Sequence, residues 1–234
     1  MTVEVRVREV PRPKRIILMR HGEAEGNVDQ TLFQTKPDHL MTLTPRGIIQ
    51  ARTAGDEIRR IVGRERVRVY LSPYLRTRET FRELGIRHQV DRVIEEPRLR
   101  EQDWGNFQHG DRINEQKKQR ADYGHFFYRL QHGESGADVF DRVSAFIDTL
   151  FRGFARPGHP PNTLIITHGL TMRLFMMRWF HWSVEYFESL ENPRPGELKI
   201  LTDGPGGYEL DRPFRQWKSL PSDDLADGGN AEVK

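Results

Sequence analysis

The sequence predicts an α/β fold, namely a three-layer, doubly wound α/β/α domain with a mainly parallel sheet and a small cap insertion. Short apolar runs alternate with segments of helical periodicity, as in proteins whose parallel strands are each followed by a covering helix. The runs lack polar alternation, which is typical of strands buried on both faces. Residues 97–135 lose this order and are rich in polar, aromatic and glycine residues, so we expect the cap at about residues 103–135.

The first strand and the first long helix have the clearest signals. Residues 15–19, Arg-Ile-Ile-Leu-Met, form an apolar run that predicts the first central strand. Thr44 and Pro45 have the order of a helix N-cap followed by a first-turn proline, and apolar residues then recur at helical spacing up to Gly63. We therefore expect a helix that begins at Pro45 and ends before Gly63.

The other elements follow from the same kinds of signal. Ser72 and Pro73 repeat the order of cap and first-turn proline, which predicts a second helix that ends near Gly85. Ser135 precedes a strongly amphipathic segment and is expected to cap it. The remaining predicted elements are strands at residues 67–71, 89–94, 163–166 and 198–201, a partner strand at 208–210, and helices at 137–155 and 168–180.

The length of 234 residues, slightly above the usual span of one domain, predicts one domain with short flanking segments. We expect this domain over residues 15–212, after an N-terminal extension over residues 1–14 and before a flexible tail over residues 213–234. No apolar stretch approaches the roughly 18 residues of a membrane span, and the charged N-terminus does not resemble a signal sequence. Cysteine is absent, which excludes disulfides and cysteine nucleophiles and fits a cytoplasmic protein.

The charge composition gives no sign of a nucleic-acid-binding surface. The formal net charge is +3, and only seven of the 37 basic residues are lysine. Arginine binds phosphate and carboxylate groups bidentately, but genome base composition can also shift lysine to arginine. Acidic residues are dispersed among the basic ones, and no basic run is interleaved with aromatic residues. We therefore predict no nucleic-acid partner.

Two histidines follow predicted strands in the same way. His21 stands in Arg20-His21-Gly22 directly after the first strand, and His168 stands in His168-Gly169 directly after a later one. The carboxyl ends of parallel strands share one sheet edge, where α/β proteins place their ligands, so both imidazoles are expected there. A metal site would need further ligands at close spacing, which the pair lacks. The alternative is covalent catalysis, in which a neutral imidazole attacks phosphorus.

Cations and carboxylates near these histidines fit phosphoryl transfer, which requires charge stabilisation and a proton donor for the leaving group. Arg20 adjoins His21, and Arg76 lies at the predicted start of a helix, where exposed amides also favour anions. Glu101 is the candidate acid. Asp103 lies two residues away, and either carboxylate could instead pair with a nearby arginine, so the residues alone leave this choice open.

Taken together, these residues resemble the histidine phosphatase superfamily, in particular its phosphoglycerate-mutase-like branch. The patterns of that family are Arg-His-Gly-Glu-x-x-x-Asn, a helix start at Leu-Thr, Ser-Pro-x-x-Arg, Leu-x-Glu and a late His-Gly. They stand in this chain, in that order, at residues 20–27, 43–47, 72–76, 99–101 and 168–169. The resemblance covers about residues 15–202 and implies the phosphoglycerate-mutase-like α/β fold.

The resemblance also implies roles for individual residues. His21 would be the phosphorylated nucleophile, and Glu101 the general acid and base. The family's serine after Arg-His-Gly-Glu is Ala24 here, which removes one substrate contact, while catalysis is expected to survive. No metal and no other cofactor is implied, because the cations supply the charge stabilisation. The implied phosphate-binding residues are Arg20, Asn27, Arg76, His168 and Gly169.

The resemblance implies a small phosphomonoester as the substrate and hydrolysis as the reaction. A mutase of this family grips a small acid through a long basic insertion, whereas the interval from Glu101 to His168 resembles the shorter phosphatase arrangement. Residues 96–108 and 124–139 resemble a broad-range acid phosphatase subgroup of fungi and plants. Two alternatives stay open, namely a cofactor-dependent phosphoglycerate mutase and a non-catalytic phospholigand-binding module.

Aromatic residues of the cap have two interpretations. Trp104 and the run at residues 126–128, Phe-Phe-Tyr, are either buried in the cap or form a hydrophobic wall that accepts bulky leaving groups. Burial is the simpler expectation for each of them.

Overall fold

The computed structural model describes residues 12–105 and 110–217 of the chain. Strands and helices alternate along these residues, as the sequence predicts. The strands are β1 (Arg15–Arg20), β2 (Val67–Leu71), β3 (Val90–Glu95), β4 (Asn162–Thr167), β5 (Leu198–Gly204) and β6 (Gly207–Leu210). The helices are α1 (Glu25–Val28), α2 (Pro45–Val62), α3 (Leu75–Glu83), α4 (Gly110–Tyr123), α5 (Gly136–Phe154), α6 (Gly169–Phe180) and α7 (Val184–Ser189).

Within the described residues the strands form one six-stranded sheet in the order β3-β2-β4-β1-β5-β6. The first four of these are parallel, and β5 and β6 extend the sheet in antiparallel orientation. The register of the neighbouring strands β1 and β4 pairs Arg20 with Thr167. Because His21 and His168 are the next residues, the two histidines leave adjacent strands at the same level of the sheet.

Helices cover both faces of the sheet, which confirms the predicted three-layer, doubly wound fold. The side chains of β1 alternate between the two faces: Ile16 and Leu18 pack with α5 and α6, whereas Ile17 and Met19 pack with α2 and α3. All four side chains are fully buried. Burial on both faces is the physical reason that this strand reads as a continuous apolar run.

Two predicted helix caps are confirmed. The Thr44 hydroxyl accepts a hydrogen bond of 3.0 Å from a backbone N–H of the first turn of α2. Ser135 caps α5 in a reciprocal arrangement with Asp138, whose carboxylate accepts the backbone N–H of Ser135 at 2.7 Å. Each cap satisfies amide groups that would otherwise have no partner at the helix start.

The predicted start of α3 at Ser72-Pro73 is wrong. The helix begins at Leu75, and Tyr74 is its N-cap residue. Ser72 follows β2, and its hydroxyl lies 2.8 Å from Nε2 of His168, which follows the neighbouring strand β4. Ser72 is therefore engaged with the second histidine instead of the first turn of the helix.

The cap contains a helix, α4, that the sequence does not predict. Its residues are almost all polar, so it lacks the apolar stripe by which helices are recognised. The Glu134 carboxylate fastens the cap to the domain, because it accepts hydrogen bonds from Arg100 at 2.5 Å and from Arg142 at 3.0 Å. The same carboxylate accepts the backbone N–H of Asp103 at 3.0 Å, so both ends of the cap meet at one ion-pair cluster.

The predicted C-terminal tail starts too early. Phe214 is buried in the core that α5 and α6 form with the sheet, and the backbone N–H of Trp217 bonds to the carbonyl of Ser189. Residues 213–217 therefore belong to the folded part of the chain, because the side chain of Phe214 packs in its hydrophobic core. The rest of that prediction, residues 218–234, lies outside the described residues.

The described end of the N-terminal extension is also attached to the sheet. The carbonyl of Lys14 accepts the backbone N–H of Asp203 at 3.0 Å. Residues 1–11 of the predicted extension lie outside the described residues. Among the helices of the described chain, none combines the length and apolar character needed to cross a membrane.

Candidate active site

A cavity of about 230 Å³ opens at the sheet edge where β1 ends, with α4 of the cap as part of its wall. Five of the predicted site residues lie together in its lining, namely Arg20, His21, Asn27, Arg76 and Glu101. The other lining residues are Ala24, Gly26, Gln30, Phe33, Asp38, Met41, Trp104, Ile113 and Lys117.

His21 is held as a neutral imidazole with one nitrogen available. Its Nδ1 lies 2.6 Å from the carbonyl of Gly22, which fixes the proton on Nδ1. Nε2 accepts a hydrogen bond of 3.3 Å from Nε of Arg76. Burial, followed by the positive charges of Arg76 and Arg20, lowers the pKa of His21 well below its usual value. The arrangement therefore leaves Nε2 as the unprotonated ring nitrogen.

Close backbone packing fixes the loop that carries His21. The backbone N–H of His21 donates to the carbonyl of Thr167, and that of Gly22 donates to the hydroxyl of Thr80 at 3.1 Å. A Cβ atom at Gly22 would lie only 2.4 Å from the carbonyl oxygen of Gly47 in α2. Both positions require glycine because the loop and the helix start touch backbone to backbone.

Arg76 is bound by a carboxylate that the sequence analysis does not identify, that of Asp38. The guanidinium donates through Nη1 to Oδ1 of Asp38 at 2.9 Å and through Nη2 to Oδ2 at 3.3 Å. Both side chains are largely buried in this ion pair. Asp38 therefore accepts from the two terminal nitrogens of Arg76, which are donors by which arginine also binds phosphate.

Arg20 has donors left for a ligand. Its Nη1 donates to the carbonyl of Pro193 at 2.6 Å. Its Nε is buried and has no hydrogen-bond partner among the described residues. A buried donor without a partner is costly unless a ligand or water satisfies it, so this atom is a ready contact for an anion.

His168 lies against His21 but behind the cavity. Its side chain is 0% exposed, and the two imidazole rings are 5.1 Å apart between centroids. Nε2 lies 2.8 Å from the Ser72 hydroxyl, and Nδ1 is buried without a partner in the described chain. Burial lowers the pKa of His168 well below its usual value. Gly169 is also away from the lining, since its Cα packs against the side chain of Asn192.

Glu101 and Asp103, the two candidate acids, have different surroundings. Glu101 lines the cavity, and burial raises the pKa of its carboxyl group despite the opposing charges of Arg76 and Arg20. Asp103 is exposed outside the cavity, and its Oδ1 accepts the backbone N–H of Gly105 at 2.8 Å. A carboxyl group with a raised pKa retains its proton and can donate it.

Asn27 lines the cavity, but its side-chain oxygen is in use. Oδ1 of Asn27 accepts the backbone N–H of Ala24 at 2.9 Å and so caps the short helix α1. Its amide nitrogen is the group that remains for a ligand. Ala24 itself is buried at the wall, where its methyl group replaces the hydroxyl of the family pattern.

The cap aromatics divide between the two interpretations. Trp104 lines the cavity. Phe126 is buried in the core against Phe187, and Phe127 is exposed. The Tyr128 hydroxyl donates to Gln119 of α4. Of the cap aromatics named here, only Trp104 therefore lines the cavity, where it contributes to an apolar wall together with Phe33, Met41, Ile113 and Ala24.

Asp38 and Lys117 are the charged lining residues that sequence reasoning missed. Asp38 begins a single turn of 3-10 helix, Asp38–Leu40, with no recognisable spacing to the other site residues, and Lys117 lies in the unpredicted helix α4. Among the described residues, no group of three or more histidine, aspartate or glutamate side chains is placed to hold a metal ion.

Comparison with known proteins places this chain in one family. The sequence profile of the histidine phosphatase superfamily, branch 1, matches residues 16–215. The chain is 48% identical over 214 residues to the phosphoglycerate mutase-like protein AT74 of Arabidopsis thaliana, covering 85% of this chain and 68% of the relative. It is 31% identical over 309 residues to the broad-range acid phosphatase DET1 of Saccharomyces cerevisiae, covering 91% and 92% respectively.

Solved structures share the fold. Mycobacterial glucosyl-3-phosphoglycerate phosphatase, in a structure that contains VO3, superimposes with a TM-score of 0.65 at 20% identity. This match covers 85% of the present chain and 97% of the solved one. The doubly wound α/β architecture is therefore shared with this solved structure.

Proposed function

The chain belongs to the histidine phosphatase superfamily, in which it is a phosphatase, and on this premise we propose that it hydrolyses small phosphomonoesters through a phosphohistidine at His21. One observation carries the proposal. The Gly22 carbonyl holds the proton of His21 on Nδ1, so that Nε2 is the free base at a cavity lined by Arg20 and Arg76. Nucleophilic attack on phosphorus requires this protonation state.

In the first step, Nε2 of His21 forms a bond to phosphorus while the ester P–O bond breaks. The leaving oxygen takes its proton from Glu101, whose raised pKa keeps that proton in place. In the second step, water attacks the phosphohistidine, Glu101 accepts the water proton, and the P–N bond breaks. Inorganic phosphate leaves, and His21 returns to its neutral form.

The charge of the phosphoryl group is stabilised by Arg20 and Arg76. The unpartnered Nε of Arg20 supports this role, because a phosphate oxygen would supply the missing acceptor. His168 does not line the cavity, so its contact with phosphate is proposed from the family pattern and from its position against His21. For His168, a Ser72 hydroxyl that donates to Nε2 leaves the proton on Nδ1, which is then a donor. Asn27 and Gly169 stay secondary candidates for phosphate contacts, through a side-chain amide and through the start of α6.

We expect a broad range of leaving groups, as in the yeast acid phosphatase that the chain resembles. The apolar wall of Trp104, Phe33 and Met41 makes few demands on hydrogen bonding, which suits varied alcohols. Arg20 and Arg76 do the electrostatic work that a metal ion would do, so we propose that activity needs no metal.

The test is phosphate release from p-nitrophenyl phosphate by the full chain, with EDTA present and with His21→Ala in parallel. We expect turnover that EDTA does not reduce and that His21→Ala abolishes. Conversion of phosphoglycerate isomers in the presence of bisphosphoglycerate, without phosphate release, would instead establish a mutase. Binding of phosphate without any turnover would establish a phospholigand-binding module.

A further inference from the structure

The cavity contains a cation, Lys117, that is not among the proposed phosphate-binding residues. Lys117 of α4 lines the same cavity as His21, on the wall that the cap contributes. Its Nζ donates to the side-chain oxygen of Gln30, the first residue of the 3-10 helix Gln30–Gln34 that follows α1. The ammonium group also lies 5.9 Å from the centroid of the Trp104 ring.

The charge of Lys117 is not neutralised within the described part of the chain. Its side chain is partly buried, and burial lowers its pKa with no carboxylate acting in the opposite direction. Neither of the two carboxyl groups that line the cavity neutralises Lys117. Asp38 is paired with Arg76, and burial favours the neutral form of Glu101. An anionic ligand group beside Lys117 would stabilise the charged form of its ammonium group.

Neighbouring side chains hold Lys117 in this place. Arg120, one turn later in α4, donates from Nη2 to Oε1 of Gln102 at 2.9 Å, and its guanidinium stacks 5.0 Å from the Trp104 ring centroid. Gln102 in turn donates to the carbonyl of Glu134 at 2.8 Å. These contacts join α4 to the segment that carries Glu101, so Lys117 is positioned relative to the reaction centre.

We propose that Lys117 binds an anionic group on the leaving alcohol, so that the preferred substrates are small phosphomonoesters with a second negative charge. This inference rests on the proposed phosphatase function. With a volume of about 230 Å³, the cavity is smaller than the roughly 300–1,000 Å³ of typical ligand pockets, so a short leaving group can contact the cap wall. Lysine acts as a point charge, so a carboxylate and a phosphoryl group serve alike.

The test compares two esters with the same carbon skeleton and the same configuration at C2, 3-phospho-D-glycerate and sn-glycerol 1-phosphate. They differ in a carboxylate against a hydroxymethyl group, and phosphate release gives kcat/KM for each. We expect Lys117→Met to lower kcat/KM for phosphoglycerate about tenfold, mainly through KM, because one charge-assisted contact is lost away from the reacting bond. The value for glycerol phosphate should change less than about twofold.

Two further variants control this comparison. Lys117→Arg keeps the charge and should retain most of the preference for phosphoglycerate. Lys118→Met removes the same charge from the exposed side of the same helix and should leave both substrates unaffected. Equal losses on both substrates with Lys117→Met, or an equal loss with Lys118→Met, would overturn the inference.

The failure of this inference is distinguishable from the failure of the proposed function. Turnover of p-nitrophenyl phosphate by the wild type is measured in the same series. If that turnover depends on His21 while Lys117→Met leaves the ratio of the two substrates unchanged, only the role of Lys117 is wrong. If the wild type releases phosphate from none of the three esters, the proposed function itself is wrong.

Discussion

Asp38 holds the guanidinium of Arg76 by two side-chain hydrogen bonds, while Nε of the same guanidinium contacts Nε2 of His21 at 3.3 Å. A phosphate ligand at His21 would therefore compete with the Asp38 carboxylate for the hydrogen-bond donors of Arg76. A carboxylate in this place weakens anion binding in two ways, because it occupies donors and because it cancels positive charge.

Asp38→Asn is expected to tighten the binding of inorganic phosphate. The amide keeps an oxygen for Arg76 but removes the negative charge, so the inhibition constant of phosphate against p-nitrophenyl phosphate should fall about fivefold, which corresponds to ~1 kcal/mol. Asp29→Asn is the matched control, since Asp29 is exposed and bonds to Thr31. A higher inhibition constant for Asp38→Asn would mean that Asp38 chiefly positions Arg76.

Glu101→Gln is expected to separate substrates by their leaving groups. Alkyl phosphates need a proton on the departing oxygen, so their kcat/KM, which reports formation of the phosphoenzyme, should fall roughly a hundredfold or more. The kcat/KM of p-nitrophenyl phosphate should fall less than about tenfold, because p-nitrophenolate leaves unaided. Asp103→Asn, two residues away and outside the cavity, should reproduce neither effect. Equal losses on both substrate types would exclude Glu101 as the acid.

Gly47→Ala is expected to damage both stability and turnover. Alanine normally favours a helix over glycine by about 1 kcal/mol, but a Cβ here would lie 2.1 Å from the carbonyl oxygen of Glu23. The loop after His21 must therefore move, and we expect a loss of about 1–3 kcal/mol in urea unfolding with a lower kcat. Gly206→Ala, where a Cβ meets nothing within 4 Å, is the control. Equal stability of the two variants would contradict the close packing.

The two buried histidines are expected to make the fold less stable in mild acid. Their pKa values are lowered in the folded state, so the unfolded state binds protons first as pH falls below about 6.5. Each such histidine removes up to roughly 1.4 kcal/mol per pH unit in that range. His168→Gln should reduce the slope of unfolding free energy against pH, measured by urea titration. Ser72→Ala, which removes a hydrogen bond but no titrating group, should keep it.

The histidine pair was predictable because it depends on strand geometry alone. The parallel, neighbouring strands β1 and β4 end at the same level of the sheet, so the residues that follow them, His21 and His168, lie side by side. Such strands can be recognised in the sequence because their residues are continuously apolar. Caps formed by neighbours in sequence, as at Thr44, were predictable for the same local reason. Ser72 shows the limit of this reasoning, since its hydroxyl bonds to a histidine of another strand.

The two missed charges of the cavity depend on contacts distant in sequence. Asp38 reaches Arg76 from a single turn of 3-10 helix, Asp38–Leu40, and no spacing rule connects them. Lys117 reaches the cavity because α4 folds over it, and that helix has no apolar stripe by which to predict it. Which polar residue faces a site is thus set by the tertiary fold, whereas the strands and helices around it are set by local pattern.

The central claim is that the phosphoryl group passes through His21, and the most direct test is to identify the covalent intermediate. Wild-type protein is mixed with excess p-nitrophenyl phosphate, quenched under alkaline denaturing conditions that preserve phosphohistidine, and analysed by mass spectrometry of its peptides. We predict one added phosphoryl group on the peptide that contains His21, and none in His21→Ala. A phosphoryl group on another residue, or full turnover by His21→Ala, would contradict the account.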